Sequence, residues 1–245
     1  MSEVEKFLAA VRANVAAQGA DADVQALSRI WLREITRYRY AYNFTWLGRP
    51  IIQLPQDLVA LQEIIWQTQP ELIVETGIAH GGSLIFHASI LELIGGPGVV
   101  LGVDVDIRAH NRAEIERHPM VRRIRMIEGS SIDPKVVAQV RTAAASARST
   151  MVVLDSNHTR DHVLAELHAY GSLVTKGCYL VVLDTLLEDM PDDLVRDRPW
   201  GKGNNPKTAV REYLDATDRF EIDKSIEHKL LITVAPDGYL RCVKD

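Results

Sequence analysis

From residue 57 onward the chain alternates between helical patterns and short, almost continuously apolar runs. The apolar runs are ELIVET, GVVLGVDVD, RIRMIEG, TMVVLDS and CYLVVLD, and a helical pattern separates each pair. Strands that are apolar on both faces belong to a sheet that is covered on both sides. Strands that alternate with helices form a parallel sheet with right-handed crossovers. The pattern therefore predicts an α/β fold with a mainly parallel, doubly wound sheet.

The two ends of the chain depart from this alternation. Near the C-terminus, FEIDKS and KLLITVAPDGYLRCVKD predict two or three strands with short turns, and hence an antiparallel C-terminal edge. Residues 3–17 and 23–37 have helical periodicity, the first closed by Gly19, and the aromatic segment YRYAYNFTWLGRPIIQLPQD follows them. We predict an N-terminal helical and aromatic cap over residues 1–56 and one α/β domain over residues 57–245. Alternatively, some aromatic residues of the cap line a substrate pocket: Tyr38, Tyr40, Tyr42 and Trp46.

Composition limits the classes of ligand. The 245 residues carry a formal net charge of -5, which gives no general attraction to nucleic acid or to an anionic membrane. A small-molecule substrate is therefore expected. Only two cysteines are present, no apolar run is long enough to span a membrane, and the N-terminal stretch contains acids, unlike a signal peptide. These features predict a cytoplasmic protein.

The ends of the predicted strands supply the candidate site residues. In an open α/β sheet, ligands bind at the carboxyl ends of the strands. Four of the five predicted strand ends carry an acid, and a carboxylate there is costly to desolvate unless it meets a donor or a cation. The set therefore predicts a functional site. In chain order its members are Glu75, Asp104 with Asp106, Ser130 with Ser131, Asp155 and Asp184.

A glycine-rich loop follows the first predicted strand in IVETGIAHGGSLIF, residues 73–86. It lacks the G-x-G-x-x-G order of dinucleotide folds and the G-K-[ST] of phosphate loops. Its glycines allow close backbone approach, and the next helix offers free N–H groups to an anion. Glu75 would repel a pyrophosphate but can accept a hydrogen bond from an amino-acid ammonium. We therefore predict S-adenosylmethionine as the cofactor, held by Glu75 together with Gly77, Gly81, Gly82 and Ser83.

The next two strand ends fit the rest of that cofactor. Asp104 ends the second predicted strand, where an acid can bind both ribose hydroxyls, and Asp106 would do so less directly. Ser130 and Ser131, in EGSS, can face the adenine. The alternative for Ser131 is a helix cap before DPKVV.

Several segments resemble one known family. LIVETGIAHGGSLIFHASI, VLGVDVDIR, IEGSSIDP, LDSNHTRDHVLAELHAY, GCYLVVLDT and EHKLLITVAPDGYL are similar to the cephalosporin hydroxylase and rhamnosyl O-methyltransferase family, from about residue 40 to 240. The resemblance implies a Rossmann-like class I methyltransferase fold and S-adenosylmethionine as cofactor. It also implies a divalent metal in some members and methylation of a hydroxyl on a sugar or natural product.

Two acids are candidate metal ligands. Metal-assisted methyl transfer to a hydroxyl uses a hard cation such as Mg²⁺, bound by oxygens. Asp155 and Asp184 end the fourth and fifth predicted strands, so one ion can contact both, and Asp155 also lies beside the cofactor. The family resemblance implies a Glu before Asp184, whereas this chain has Leu183. We therefore expect weaker metal binding than a full acidic set would give.

His158 is the candidate general base. A histidine exchanges protons near neutral pH, and this one follows Asp155 by three residues, so it can take the proton of an acceptor hydroxyl. The alternative role is to orient Asp155. Catalysis is accordingly assigned to His158 and Asp155.

The remaining expectations concern the acceptor, the assembly and other functions. Residues 186–206 form a long, charged segment that we predict to be an acceptor-binding lid, the alternative being a surface loop. The apolar N-terminal helix and aromatic cap predict a homo-oligomer. Two other functions stay open: an oxidoreductase of the hydroxylase type, and a non-catalytic nucleotide-binding partner subunit.

Overall fold

The computed structural model describes residues 1–191 and 197–245. Within these residues the helices are α1 (Glu3–Ala20), α2 (Ala22–Thr36), α3 (Pro55–Thr68), α4 (Gly82–Ile94), α5 (Ala109–Arg117), α6 (Pro134–Ala145), α7 (Arg160–Tyr170), α8 (Pro206–Asp215) and α9 (Lys224–Leu230). The strands are β1 (Phe44–Trp46), β2 (Arg49–Ile51), β3 (Leu72–Thr76), β4 (Val99–Asp104), β5 (Ile124–Glu128), β6 (Thr150–Leu154), β7 (Tyr179–Val182), β8 (Phe220–Ile222) and β9 (Tyr239–Cys242). Short 3₁₀ turns join several of them.

Seven strands form the main sheet, in the order β5-β4-β3-β6-β7-β9-β8. Strands β5, β4, β3, β6 and β7 are parallel, whereas β9 runs antiparallel to β7 and β8. The order reverses between β3 and β6, and this switch opens a crevice at the carboxyl ends of the strands. The predicted doubly wound sheet with an antiparallel C-terminal edge is confirmed.

Side chains of the central strands are buried on both faces, as their apolar runs predicted. Every residue of β3, β6 and β7 is buried. In β6, Met151 and Val153 belong to the core cluster that contains α3 and α4. Val152 and Leu154 belong to the opposite cluster, with α6, α7 and α8. The strands are therefore covered by a helical layer on each side.

The N-terminal cap packs against α4 and the C-terminal region. The β1–β2 hairpin contacts α4 through Trp46, whose indole N–H donates to Ser89 Oγ at 3.0 Å and whose ring meets Phe86 edge-on. A side chain at Gly82 would collide with the Pro50 carbonyl, so only glycine allows this close approach. Helix α1 contains no buried residue and is held to the C-terminal region by Gln18, which donates to the His228 carbonyl. The division at residue 56 stays a prediction.

Three predicted boundaries were wrong. Helix α1 continues through Gly19 to Ala20, and α3 begins at Pro55 rather than at residue 57. The segment KLLITV forms no strand, because its first residues end α9, which Asp223 caps by accepting a hydrogen bond from the backbone N–H of Ser225. The following residues are bound to a side chain of α3 rather than to a neighbouring strand. No described helix is long and apolar enough to cross a membrane.

Candidate functional site

A cavity of about 820 Å³ opens at the carboxyl ends of β3, β4, β6 and β7. The glycine loop after β3 and three strand-end acids line one side: Asp104, Asp155 and Asp184. The cap lines the other side with Tyr40, Tyr42 and Gln53. Two aromatic residues of the predicted cap therefore face the cavity, whereas Tyr38 is exposed and Trp46 packs against α4.

Asp104 and Gly77 determine the shape of the glycine loop. Asp104 Oδ2 accepts hydrogen bonds from the backbone N–H groups of Ile78 at 2.7 Å and Ala79 at 3.3 Å. Gly77 has φ 91°, and a side chain there would collide with the Asp155 carbonyl. A residue with a Cβ would therefore push the loop off β6. Asp104 also lines the cavity, and its assignment to the cofactor ribose stays a prediction.

Glu75 lies behind the glycine loop, separated from the cavity by Ser83. The residue is 1% exposed, and its Oε1 accepts a hydrogen bond from the hydroxyl of Ser83, a residue that lines the cavity. Burial raises the pKa of Glu75 to about 8. His87 Nε2 lies 3.4 Å from Oε2, and burial lowers the pKa of His87 to about 3, so this imidazole is neutral. The loop thus covers a buried carboxyl that an approaching ammonium could ionise.

Asp155, His158 and Asp184 form a cluster beside the loop. One potential ligand atom from each lies within 4.8 Å of the other two, and His158 Nε2 is 3.1 Å from Asp184 Oδ2. Asp184 has φ 56°, a left-handed conformation that aspartate tolerates better than most residues. The turn after it is fixed by Thr185, whose hydroxyl donates to the Pro236 carbonyl at 2.6 Å. The strand ends therefore hold two carboxylates and an imidazole together.

The charges of this cluster suit a cation. Desolvation raises the pKa of Asp155 well above its ordinary value, and the charges of Asp184, Glu75 and Glu166 raise it further. Negative groups that are packed this closely are stabilised by a bound positive ion. Carboxylate oxygens are the ligands that Mg²⁺ prefers, and the residues present therefore fit a hard divalent cation. Leu183 adds no ligand, because it is 3% exposed and packs in the core cluster.

Five predicted cofactor residues do not line the cavity. Among the described residues of its wall, Glu75, Gly81, Asp106, Ser130 and Ser131 are absent, and Glu75 lies behind Ser83. Asp106 is exposed and pairs loosely with Arg108. Ser131 is buried, and its hydroxyl contacts His162 Nε2 at 3.0 Å. Their assignment to the cofactor stays a prediction.

Several residues around the site were not among the predicted ones. Gln53 and His87 come from the cap and from a helix, so no strand-end rule selects them. Trp200 meets the His158 ring edge-on, with centroids 4.8 Å apart. Glu166 is completely buried and accepts a hydrogen bond from Ser156 Oγ at 2.7 Å. It lies within LDSNHTRDHVLAELHAY, where an acid among apolar helix positions was the available signal.

The doubly wound sheet, with a glycine-rich loop after β3 and an acid at the end of β4, has the arrangement of a Rossmann-like class I methyltransferase fold. Comparisons with known proteins agree. A model of the Rhamnosyl O-methyltransferase/CmcI family matches residues 38–243. A rhamnosyl O-methyltransferase of Mycobacterium bovis is 33% identical over 198 residues, 80% of this chain and 77% of the relative. The Mycobacterium leprae enzyme of the same name is also 33% identical, over 80% of this chain and 82% of its own length.

Among solved structures, CmcI described with Mg and SAM has a TM-score of 0.57 at 20% identity, covering 83% of this chain and 78% of CmcI, and this likeness concerns the fold. The chain belongs to the Rhamnosyl O-methyltransferase/CmcI family. This membership confirms the predicted resemblance and the predicted class, an S-adenosylmethionine-dependent O-methyltransferase.

Proposed function

We propose that this protein transfers the methyl group of S-adenosylmethionine to a hydroxyl of a sugar or natural product, assisted by a divalent cation of the magnesium class. The observation that carries the proposal is the cluster of Asp155, His158 and Asp184 at the wall of the cavity that the glycine loop also lines. The cluster would bring a cation and a base to the place where the loop would present the methyl donor.

The cofactor would lie along the glycine loop. Its carboxylate would meet free N–H groups at the start of α4, and its ammonium would approach Ser83 and the carboxyl of Glu75 behind it. Its ribose would lie on Asp104. Calorimetry with S-adenosylhomocysteine should show binding that weakens by about 1.5–3 kcal/mol in Asp104→Ala, the size of a lost charge-assisted bond. Tight NADH binding without any response to S-adenosylhomocysteine would contradict the proposal.

Asp155 and Asp184 would hold the cation. When bound there, Mg²⁺ would supply charge stabilisation that favours the alkoxide of an acceptor hydroxyl. The two carboxylates would hold the ion at the cavity wall. His158, beside Asp184, would take the proton of the hydroxyl.

His158 has a second possible role as a third ligand of the cation, because its Nε2 belongs to the same cluster. Methyl transfer by wild type and His158→Ala, each with and without chelator, separates the roles. If His158 is the base, the variant should lose about 10²–10⁴-fold in the rate of methyl transfer, with the Mg²⁺ dissociation constant unchanged. If His158 is a ligand, the variant should have a larger Mg²⁺ dissociation constant, and excess Mg²⁺ should partly restore turnover.

The acceptor would occupy the space between the cap and the predicted lid. Of the lid segment 186–206, the residues Leu186, Leu187, Met190, Asp197, Arg198 and Trp200 line the cavity. Residues 192–196 of the segment lie outside the described residues. Aromatic side chains at the wall suit the apolar faces of a sugar, and the relatives are named for a rhamnosyl acceptor. These features support a glycosidic hydroxyl as the methylated group.

A direct assay tests the acceptor class. Methyl transfer from labelled S-adenosylmethionine should be measured with rhamnosides, other glycosides and simple phenols, and products identified by mass spectrometry. Methylation of a glycoside supports the proposal. Methylation restricted to phenols would replace the acceptor class while leaving the methyltransferase class unchanged.

The assembly proposed for the protein is a homo-oligomer in the cytoplasm. Helix α1 leaves Val4, Phe7 and Leu8 exposed, and α2 leaves Leu27 and Ile30 exposed. Such neighbouring apolar side chains support contact with a partner. Light scattering should give more than the 27.4 kDa of one chain at micromolar concentration. A monomer would refute the proposal.

A further inference from the structure

Gln53 places a polar group inside the cavity wall. It follows β2 and is 4% exposed, and its backbone N–H donates to the Ala41 carbonyl at 3.1 Å. Its side chain lines the same cavity as Asp155 and Asp184. The carbonyl oxygen Oε1 has no hydrogen-bond donor among the described residues. An unpaired buried carbonyl costs about 1–3 kcal/mol, so its retention in this place needs a reason.

The amide contacts one of the two candidate metal ligands. Its nitrogen Nε2 lies 3.5 Å from Asp155 Oδ2, longer than an ordinary N–H···O bond. A half-turn about the last side-chain torsion exchanges the amide oxygen and nitrogen. The oxygen would then lie beside the Asp155 carboxylate, an arrangement that repels unless a cation lies between the two oxygens.

We propose that Gln53 supplies a neutral oxygen ligand to the cation held by Asp155 and Asp184. The inference rests on the proposed metal-assisted function. Hard cations accept amide carbonyl oxygens as ligands, and they take six or more in total. The described cluster offers one atom each from Asp155, His158 and Asp184. A neutral oxygen adds a ligand without adding charge to a group of acids that already repel one another.

Gln53 lines the cavity from the cap, whereas Leu183 adds no ligand atom because it packs in the core cluster. Because Gln53 belongs to the cap and Asp155 to the sheet, a shared ion would also tie the cap to the sheet.

Gln53→Met tests the ligand directly, since methionine keeps the length of the side chain and removes both polar atoms. Calorimetry with Mg²⁺ and electron paramagnetic resonance with Mn²⁺ should show a dissociation constant raised about tenfold or more, a difference of about 1.4 kcal/mol. The matched control is Gln56→Met. Gln56 has an equally buried, unpaired Oε1 but does not line the cavity, so its variant should bind both ions as wild type does.

Gln53→Glu gives an opposite and independent result. A charged oxygen in this place should tighten Mg²⁺ at least tenfold and lower the melting temperature of the metal-free protein, because it adds a fourth charge to the acids near Asp155. This variant also keeps the test decisive if Gln53→Met does not fold.

The outcomes separate the inference from the proposed function. If Asp155→Ala loses Mg²⁺ while Gln53→Met and Gln53→Glu bind it as wild type does, the role of Gln53 is refuted and the metal site stands. If wild type binds neither ion, both are refuted. The role of Gln53 is supported if the ion binds more weakly to Gln53→Met, more tightly to Gln53→Glu, and to Gln56→Met with the affinity of wild type.

Discussion

Asp57 and Asp155 are two carboxylates with different surroundings, the first fully buried and the second half-buried at the cavity wall. Asp57, in the first turn of α3, is 0% exposed and accepts hydrogen bonds from the Thr233 hydroxyl, the Val234 N–H at 2.9 Å and the Tyr239 hydroxyl at 2.7 Å. Among the described residues, the Asp155 carboxylate at the cavity wall has one long hydrogen-bond contact, with Gln53, and three acids near it. A carboxylate with its donors already present serves the structure. A carboxylate without donors is stabilised by binding a ligand such as a cation.

The two regions are also connected. Asp57 binds the segment 233–239, and that segment holds the turn after Asp184 through hydrogen bonds from the Leu186 N–H to Val234 and from Thr185 to Pro236. The buried Asp57 thus holds the backbone segment that supports Asp184 of the candidate metal site. The comparison predicts that loss of Asp57 mainly lowers the free energy of unfolding, and that loss of Asp155 mainly lowers the rate of methyl transfer.

The largest effect is expected in Asp155→Ala. Turnover should fall by at least about two orders of magnitude, because a cation supplies several kcal/mol of charge stabilisation to the reaction. The affinity for S-adenosylhomocysteine should change little, since the cofactor lies on the glycine loop and Asp104. Methyl-transfer kinetics and calorimetry on the same preparation measure both quantities. Turnover near that of wild type would contradict the catalytic role of Asp155.

Asp57→Ala should act on stability instead. It leaves three buried donors without an acceptor, and we expect the free energy of unfolding to fall by about 2–4 kcal/mol. Urea unfolding followed by circular dichroism measures it, with Asp57→Asn as the milder control because an amide can still accept from Val234. The comparison would be wrong if Asp57→Ala unfolded as wild type does but lost Mg²⁺ binding.

The pH dependence of stability sharpens the contrast among the buried acids. Burial raises the pKa of Asp57 from 3.8 to about 6 and that of Glu75 from 4.5 to about 8. The folded state therefore keeps protons that the unfolded chain has already lost. Stability is greatest below the unfolded pKa values and falls as pH rises, up to about 6 for Asp57 and about 8 for Glu75.

Each proton changes the free energy of unfolding by about 1.4 kcal/mol per pH unit within its window. Unfolding of the metal-free protein from pH 4 to 9 should show the fall. Glu75→Gln should make the fall less steep between pH 4.5 and 8, and Asp57→Asn should make it less steep only below pH 6. Stability that rises from pH 6 to 8 in metal-free wild type would contradict this account.

Much of this architecture could be predicted because it follows from local patterns. Continuous apolar runs separated by helical periods identify a covered parallel sheet, and the strand-end rule then brings Asp104, Asp155 and Asp184 to one cavity. The same rule also selected Asp106, which the structure leaves exposed away from the cavity, because a strand-end acid can turn outward into solvent.

Residues that depend on distant contacts could not be predicted. Gln53 reaches the site because the cap packs on α4, and no sequence period records that contact. His87 lies in α4 and contacts Glu75 of β3, a pairing that the sequence pattern also does not show. The segment KLLITV resembles a strand, but Asp57, more than 170 positions away, binds its backbone and Thr233 instead. Tertiary hydrogen bonds there outweigh β-propensity.

The effect of Mg²⁺ on thermal unfolding tests the central claim most directly, because it needs neither acceptor nor cofactor. An ion at one hundred times its dissociation constant stabilises the folded state by about 2.7 kcal/mol, which is roughly 5–10 °C for a chain of this length. We predict such a rise in wild type at pH 8, none in Asp155→Asn, and a normal rise in Asp57→Asn. An unchanged melting temperature in wild type, or an equal rise in all three proteins, would contradict the assignment of Asp155 to a cation site.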